Sequence, residues 1–219
     1  MVDSASAVRY PARARLRVSS MPVWMSDFST RMTAAAPSMQ GQRVLLCVCG
    51  GIAAYKAAAL VRRLADAGAE VQVAMTDNAQ RFVGATTFQA LSGRPVRTSL
   101  WDESAEAAMS HIELARWPTC IVIAPATANT IAKLAHGLAD DLVSTLCLAS
   151  EATLAIAPAM NRLMWAHPAT QANVKTLRSR GVTVMGPDTG EQACGAVGEG
   201  RMLEPEAIVA AIASRFATI

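Results

Sequence analysis

Short stretches of this chain combine residue types that can do chemistry. In "CGGIAAYK", Gly50 and Gly51 separate an apolar run from a helical pattern that starts at about Ile52 or Ala53. Backbone amides in such a turn can approach an anion while the helix start adds partial positive charge. The stretch has neither GxGxxG nor the GK[ST] of a P-loop, so a phosphate site and a plain tight turn both stand as readings. In "APATANT", Pro125 stops a strand; Thr127, Asn129 and Thr130 either cap the next helix or hydrogen-bond a flat heterocycle or its phosphate. Asn161 in "APAMNRLMW" stands just past a strand end, where a turn would use it equally well. His111 in "SHIELARW" follows Ser110, a good helix start, and a lone histidine either moves protons near neutral pH or merely caps and packs. Cys194 in "ACGAVGEGRM" is flanked by Gly195 and followed by Gly198 and Gly200, a setting for a loop and not for a packed core.

The elements that must position these groups show as short β-branched runs, "RVLLCVC", "EVQVAM", "CIVIAPA", "TLAIAP" and "VTVMG". They are apolar on both faces, as strands covered by helices on each side must be. Helical patterns alternate with them, from "AAYKAAALVRRLADAG" to a last helix from about Pro205. This alternation predicts an α/β fold, a doubly wound parallel sheet in a single domain over residues 42–219. In such sheets ligands bind outside the carboxyl ends of the strands, where the stretches at Gly50, Thr127 and Asn161 fall.

At 219 residues, 52% hydrophobic and 17% charged, the chain has core enough for one such domain and surface to bury between subunits. No uncharged apolar run approaches the ~18 residues of a membrane span, so no membrane partner is expected. The net charge of +3 resides in residues 1–41, where five arginines outnumber two aspartates. The remainder is balanced, which argues against a nucleic-acid face. The five cysteines form no CxxC or other metal-spaced set; free thiols in a reducing cytoplasm, and no metal, are expected. Residues 1–41 lack any period and read as a disordered extension. Their Arg- and Ser-rich, acid-poor composition equally fits an organelle transit peptide or a start codon set too far upstream.

In order along the chain, "GGIAAYK", "SHIELARW", "APATANTIAKLAHGLADDLVSTLCLA" with "APAMNRLMW", and "QACGAVGEGRMLEP" resemble the flavin-dependent cysteine decarboxylases over about residues 42–217. The resemblance implies a flavodoxin-like, Rossmann-like fold that binds FMN at a subunit interface, in a homotrimer or a trimer-based assembly as large as a dodecamer. By motif position, the FMN contacts fall on Gly50, Gly51, Ile52, Thr76, Thr127, Ala128, Asn129, Thr130 and Ala159. His111 becomes the active-site base and Cys194 the acid, while Asn161, Met164 and Arg116 face the substrate. The implied activity is decarboxylation of 4′-phosphopantothenoylcysteine to 4′-phosphopantetheine in coenzyme A biosynthesis. The chain resembles the decarboxylase half of bacterial bifunctional flavoproteins, in which a synthetase half follows; a truncated and a standalone form are both expected readings.

Chemistry explains the implied roles. Direct loss of CO2 from an α-amido carboxylate leaves an unstabilised carbanion, whereas oxidising the adjacent Cβ–SH unit to a thioaldehyde creates an electron sink. Loss of CO2 then gives an enethiolate, which a hydride and a proton convert to saturated product. Two positions depart from the family pattern: Ala196 replaces an aspartate expected to order the Cys194 loop, and Cys49 replaces a serine or threonine before the glycine pair. Related activities stay open, namely decarboxylation of a peptide's C-terminal cysteine or a catalytically silent regulatory flavoprotein. The presence of His111 and Asn161 weighs against the silent class.

Overall fold

Side-chain alternation in the first strand fixes the layering. The computed structural model describes residues 38–101, 110–193 and 195–216. In β1 (Arg43–Val48), Val44, Leu46 and Val48 enter one apolar cluster while Leu45 and Cys47 enter another. Both faces are therefore covered by helices. On the first face lie α1 (Ala54–Asp66), α2 (Ala85–Ser92) and α8 (Pro205–Phe216), with Leu60, Phe88 and Ile208 fully buried. The second face carries α3 (His111–Arg116), α4 (Ala128–His136), α5 (Leu142–Leu148) and α7 (Pro168–Ser179), through Leu114, Ile131, Leu146 and Val174. Each such aliphatic side chain taken out of water contributes about 1.5–3 kcal/mol.

β1 pairs in parallel with β2 (Glu70–Met75) and β3 (Cys120–Ala126), and β4 (Thr153–Pro158) and β5 (Thr183–Val184) extend the sheet in the order β2-β1-β3-β4-β5. This is the flavodoxin-like order, whose winding reverses between β1 and β3. The crevice at their carboxyl ends is thus the topological place for a ligand. Pro125 has no N–H to give to the ladder, and the β3–β4 register shifts between Ile123 and Ala126.

Three details differ from the sequence-based expectation. Met39, placed in the N-terminal extension by composition, is fully buried, and its N–H donates to Ala67 O at 2.7 Å. The expected strand at 182–186 shortens to two residues before Gly186 and Pro187. The glycine-rich stretch expected as loop is half strand: β7 (Val197–Arg201) runs antiparallel to β6 (Asp188–Glu191), pairing Gly190 with Gly198 and Glu191 with Val197. Here glycine serves close packing, because a Cβ on Gly200 would collide with the carbonyl oxygen of Met160. Among the described residues no helix is long and apolar enough to cross a membrane.

Candidate active site

The turn from β1 into α1 is shaped by one steric demand. A Cβ on Gly50 would stand 2.9 Å from the backbone carbon of Asn78 and 3.0 Å from its oxygen, so only glycine fits. Thr76 holds Asn78 there: its N–H donates to Val48 O at 3.0 Å, and its Oγ1 accepts from Ala79 N at 3.3 Å. Gly51, by contrast, meets nothing within 4 Å. Helix α1 begins after Ala53 without any side-chain cap. An uncapped helix start beside an open glycine is suited to receive an anionic group.

At the end of β3, Thr127 caps α4, its Oγ1 accepting from Thr130 N at 3.2 Å. The capping reading of this stretch is therefore met, and more is built on it. The Thr127 and Thr130 hydroxyls lie 3.0 Å apart, and Thr130 Oγ1 donates to Cys49 Sγ at 3.2 Å. This polar chain joins the two strands at the switch point. Burial pushes the Cys49 thiol up to about 12, only partly offset by the Thr130 bond, so it stays a neutral hydrogen-bonding group.

At the end of β4, Asn161 caps the short helix α6 (Arg162–Ala166), its Oδ1 accepting from Leu163 N at 2.8 Å. Ala159 N donates to Ala126 O and Met160 N to Gly200 O, both at 3.0 Å. The β6–β7 hairpin is also tied to α6 by Trp165, whose Nε1 donates to Glu199 Oε2 at 3.0 Å. Within the hairpin, Gln192 N donates to Ala196 O and Gly195 N to Gln192 O, each at 2.8 Å. Backbone bonds thus close the turn without the aspartate that Ala196 replaces. Cys194 itself lies outside the described residues.

Two lysines brace the site. Lys133 Nζ contacts Asp140 Oδ1 and Asp141 Oδ2, both at 2.7 Å. Burial opposes ionisation of Asp141, but Lys133 and the N–H and hydroxyl of Ser144 outweigh it and hold the carboxyl below its usual range. Lys56, almost wholly buried, donates to Met202 O at 3.2 Å and Glu204 Oε1 at 2.6 Å.

These elements line an open cleft of about 1120 Å³. That exceeds the roughly 300–1,000 Å³ of a common single-ligand pocket and leaves room for two ligands. Gly50, Gly51, Ile52, Thr76, Thr127, Ala128, Asn129, Thr130, Ala159, Asn161 and Met164 all line it, as does Ala193, next to Cys194 in sequence. His111 and Arg116 do not. His111 is the first residue of α3, inside the Ser110–Glu113 capping box, and Arg116 is the last. Sequence reasoning passed over Lys56, Asn78, Lys133, Asp140, Asp141 and Gln192, all of which line the cavity. Lys133 and the two aspartates stood inside a quoted motif, but charges at helix ends look like solvated surface. No group of three or more His, Cys, Asp or Glu among the described residues could hold a metal ion.

Residues 32–217 match the family described as Flavoprotein. The chain belongs to that family. This flavoprotein is 52% identical over 182 residues to the coenzyme A biosynthesis bifunctional protein CoaBC of Escherichia coli, a match covering 83% of this chain and 45% of the relative. Against CoaBC of Vibrio vulnificus the identity is 55% over 173 residues, covering 79% and 43%. The flavoprotein therefore spans less than half the length of these curated relatives. Among solved structures it resembles a cysteine-to-serine mutant of PPC decarboxylase complexed with pantothenoylaminoethenethiol, with 32% identity, coverage of 80% and 98%, and a TM-score of 0.71. It also resembles the FMN-binding protein AtHal3, with 31% identity, coverage of 81% and 98%, and a TM-score of 0.69.

Proposed function

We propose that this flavoprotein decarboxylates 4′-phosphopantothenoylcysteine to 4′-phosphopantetheine with FMN, a step of coenzyme A biosynthesis. One observation carries the reading: every residue aligned by motif with FMN contacts lines the same cavity as Asn161 and Met164. The residues present fit FMN. The Gly50–Gly51 turn and the bare start of α1 suit a phosphate, and Thr127, Asn129 and Thr130 offer neutral hydrogen bonds beside Ala128 and Ala159, whose small side chains leave space for a flat ring. When bound, FMN supplies a reversible two-electron sink.

This chain's own groups do the rest. Held in one orientation by Leu163 N–H, the Asn161 amide supplies the donor a substrate carboxylate needs. His111 takes and returns the proton of the substrate thiol. Cys194 gives a proton to the enethiol formed after CO2 leaves, and the hairpin around it excludes water.

Because His111 and Arg116 do not line the cavity of their own chain, we assign them to the site of a neighbouring copy in a homotrimer. Exposed apolar residues at the cavity support this: Ile52 is 62%, Tyr55 61% and Met164 50% accessible. A cytoplasmic location accords with the free thiols of Cys47, Cys49, Cys120 and Cys147. The test is mass spectrometry of the products from phosphopantothenoylcysteine, its unphosphorylated analogue and a cysteine-ended peptide, with CO2 measured alongside. Saturated product from the phosphorylated substrate is expected. Turnover of the peptide alone, with an unsaturated product, would reassign the protein to peptide modification, and no CO2 from any substrate would indicate a silent flavoprotein.

A further inference from the structure

The turn between Gln192 and Ala196 and the segment around Asn161 arise from distant parts of the chain, yet a single side chain bridges them. Gln192 shapes the turn with its backbone, through its N–H to Ala196 O and its carbonyl from Gly195 N. Its side chain reaches the other way. Oε1 accepts from Arg162 N at 3.1 Å, while Nε2 donates to Met160 O at 3.2 Å and to Glu199 O at 3.3 Å. Met160 and Arg162 bracket Asn161 in sequence. The amide therefore spans both sides of the residue aligned with substrate binding, and also clips β7 to the turn.

The chemistry of this fork is specific. Arg162 N is an early helix N–H that needs an acceptor, and the Met160 and Glu199 carbonyls need donors. Only a side-chain amide of this length meets both demands. A glutamate keeps the acceptor but sets a carboxylate against two carbonyl oxygens, and a leucine of similar volume meets neither. Gly200 makes the approach possible, because a Cβ there would occupy the space of Met160 O and stand 2.5 Å from Gln192 Nε2.

We propose that Gln192 is the positioning residue that registers the turn closed by its own N–H and Ala196 O against the Asn161 segment, and so sets the efficiency with which the enethiol is protonated. This rests on the decarboxylase reading. The proton transfer breaks the Sγ–H bond of Cys194 and forms one C–H bond on the enethiol; FMN, reduced by the earlier two-electron oxidation of the substrate, would supply the hydride for the second C–H bond, and solvent reprotonates the Cys194 thiolate. Release of CO2 comes before this step and needs no contact with Cys194. Loss of register therefore weighs on saturation more than on decarboxylation, and a displacement near 1 Å slows such a step by up to about 100-fold.

The experiment uses FMN-loaded Gln192→Leu and Gln192→Glu proteins beside the wild type. It reads the ratio of unsaturated to saturated product by mass spectrometry, and amide hydrogen exchange over residues 195–201 and 43–48. In Gln192→Leu the unsaturated share should rise about 10-fold or more. Exchange should quicken in 195–201 and stay unchanged in 43–48. Gln192→Glu, with one of the three bonds kept, should fall between. An unchanged product ratio overturns the proposal, including the case in which CO2 release and saturation fall together. Unchanged exchange at 195–201 overturns it as well, and this arm needs no turnover. Absence of CO2 release by the wild type would instead sink the decarboxylase reading, so the two failures are distinct.

Discussion

Substituting alanine at each of the two adjacent glycines separates packing from ligand binding. In Gly50→Ala, the new methyl lies 2.9 Å from the Asn78 backbone carbon, where carbon atoms rest at about 3.5–4.0 Å. The Asn78 Cβ stands closer still, so relief requires the β1–α1 turn or the Asn78 loop to retreat by roughly 1 Å or more, and overpacking of this kind costs about 1–3 kcal/mol. For a domain of this size that lowers the apoprotein Tm by about 2–12 °C. If the turn yields, FMN affinity falls by about 5–150-fold, since 1.4 kcal/mol is tenfold. Gly51→Ala places its methyl in open space at the cavity wall, so the apoprotein Tm should hold or rise slightly. FMN binding should still weaken, because the methyl occupies the proposed phosphate position. Thermal melts of the apoproteins and flavin-fluorescence titrations read the two effects separately. Wild-type Tm and FMN affinity in Gly50→Ala would refute the steric argument; wild-type affinity in Gly51→Ala would refute a phosphate at that turn.

Cys194→Ser should release CO2 yet accumulate unsaturated enethiol, read by product mass; normal saturated product would remove the cysteine's role. Coexpression of His111→Asn with Asn161→Asp at equal levels should restore about one quarter of wild-type activity, because random assembly gives a quarter of interfacial sites both intact residues. If both residues served one chain, no activity would return. Asp141 contributes stability in its charged form: its folded pKa lies below the unfolded value, so the contribution is complete above about pH 4 and is lost as pH falls through the lowered value. Asp141→Asn should therefore reduce Tm at neutral pH and flatten its decline in acid, as measured by melts across pH 2–7.

The doubly wound sheet was legible because its strands are apolar on both faces, a pattern that surface residues do not produce. β1 shows this directly, with Leu45 and Leu46 fully buried on opposite sides. The β6–β7 hairpin was not legible. "DTGE" and "VGEGR" contain little that favours a strand in isolation, and their pairing is stabilised by Gln192, Trp165 and the Met160 backbone. Thr127 could be read from sequence as a cap and Asn161 as a turn residue, and both are caps. That role also places them at the cavity wall, so capping leaves the ligand-binding reading open for both. Lys133, Asp140 and Asp141 escaped notice because only tertiary structure half-buries a charge that sequence would leave at a helix end. His111 was read from its motif alone, and the cavity of its own chain does not include it.

The clamp at Lys56 also bears on the order of events during synthesis. Its ammonium group, in the first helix, is partnered by Met202 and Glu204, which leave the ribosome 146 and 148 residues later. Until then one wall of the cavity is missing and a charge destined for burial has no counterpart. Cofactor loading therefore waits until the Met202–Glu204 segment has been made, and yellow colour in a nascent chain would mark arrival of that segment and not completion of the first β-α unit.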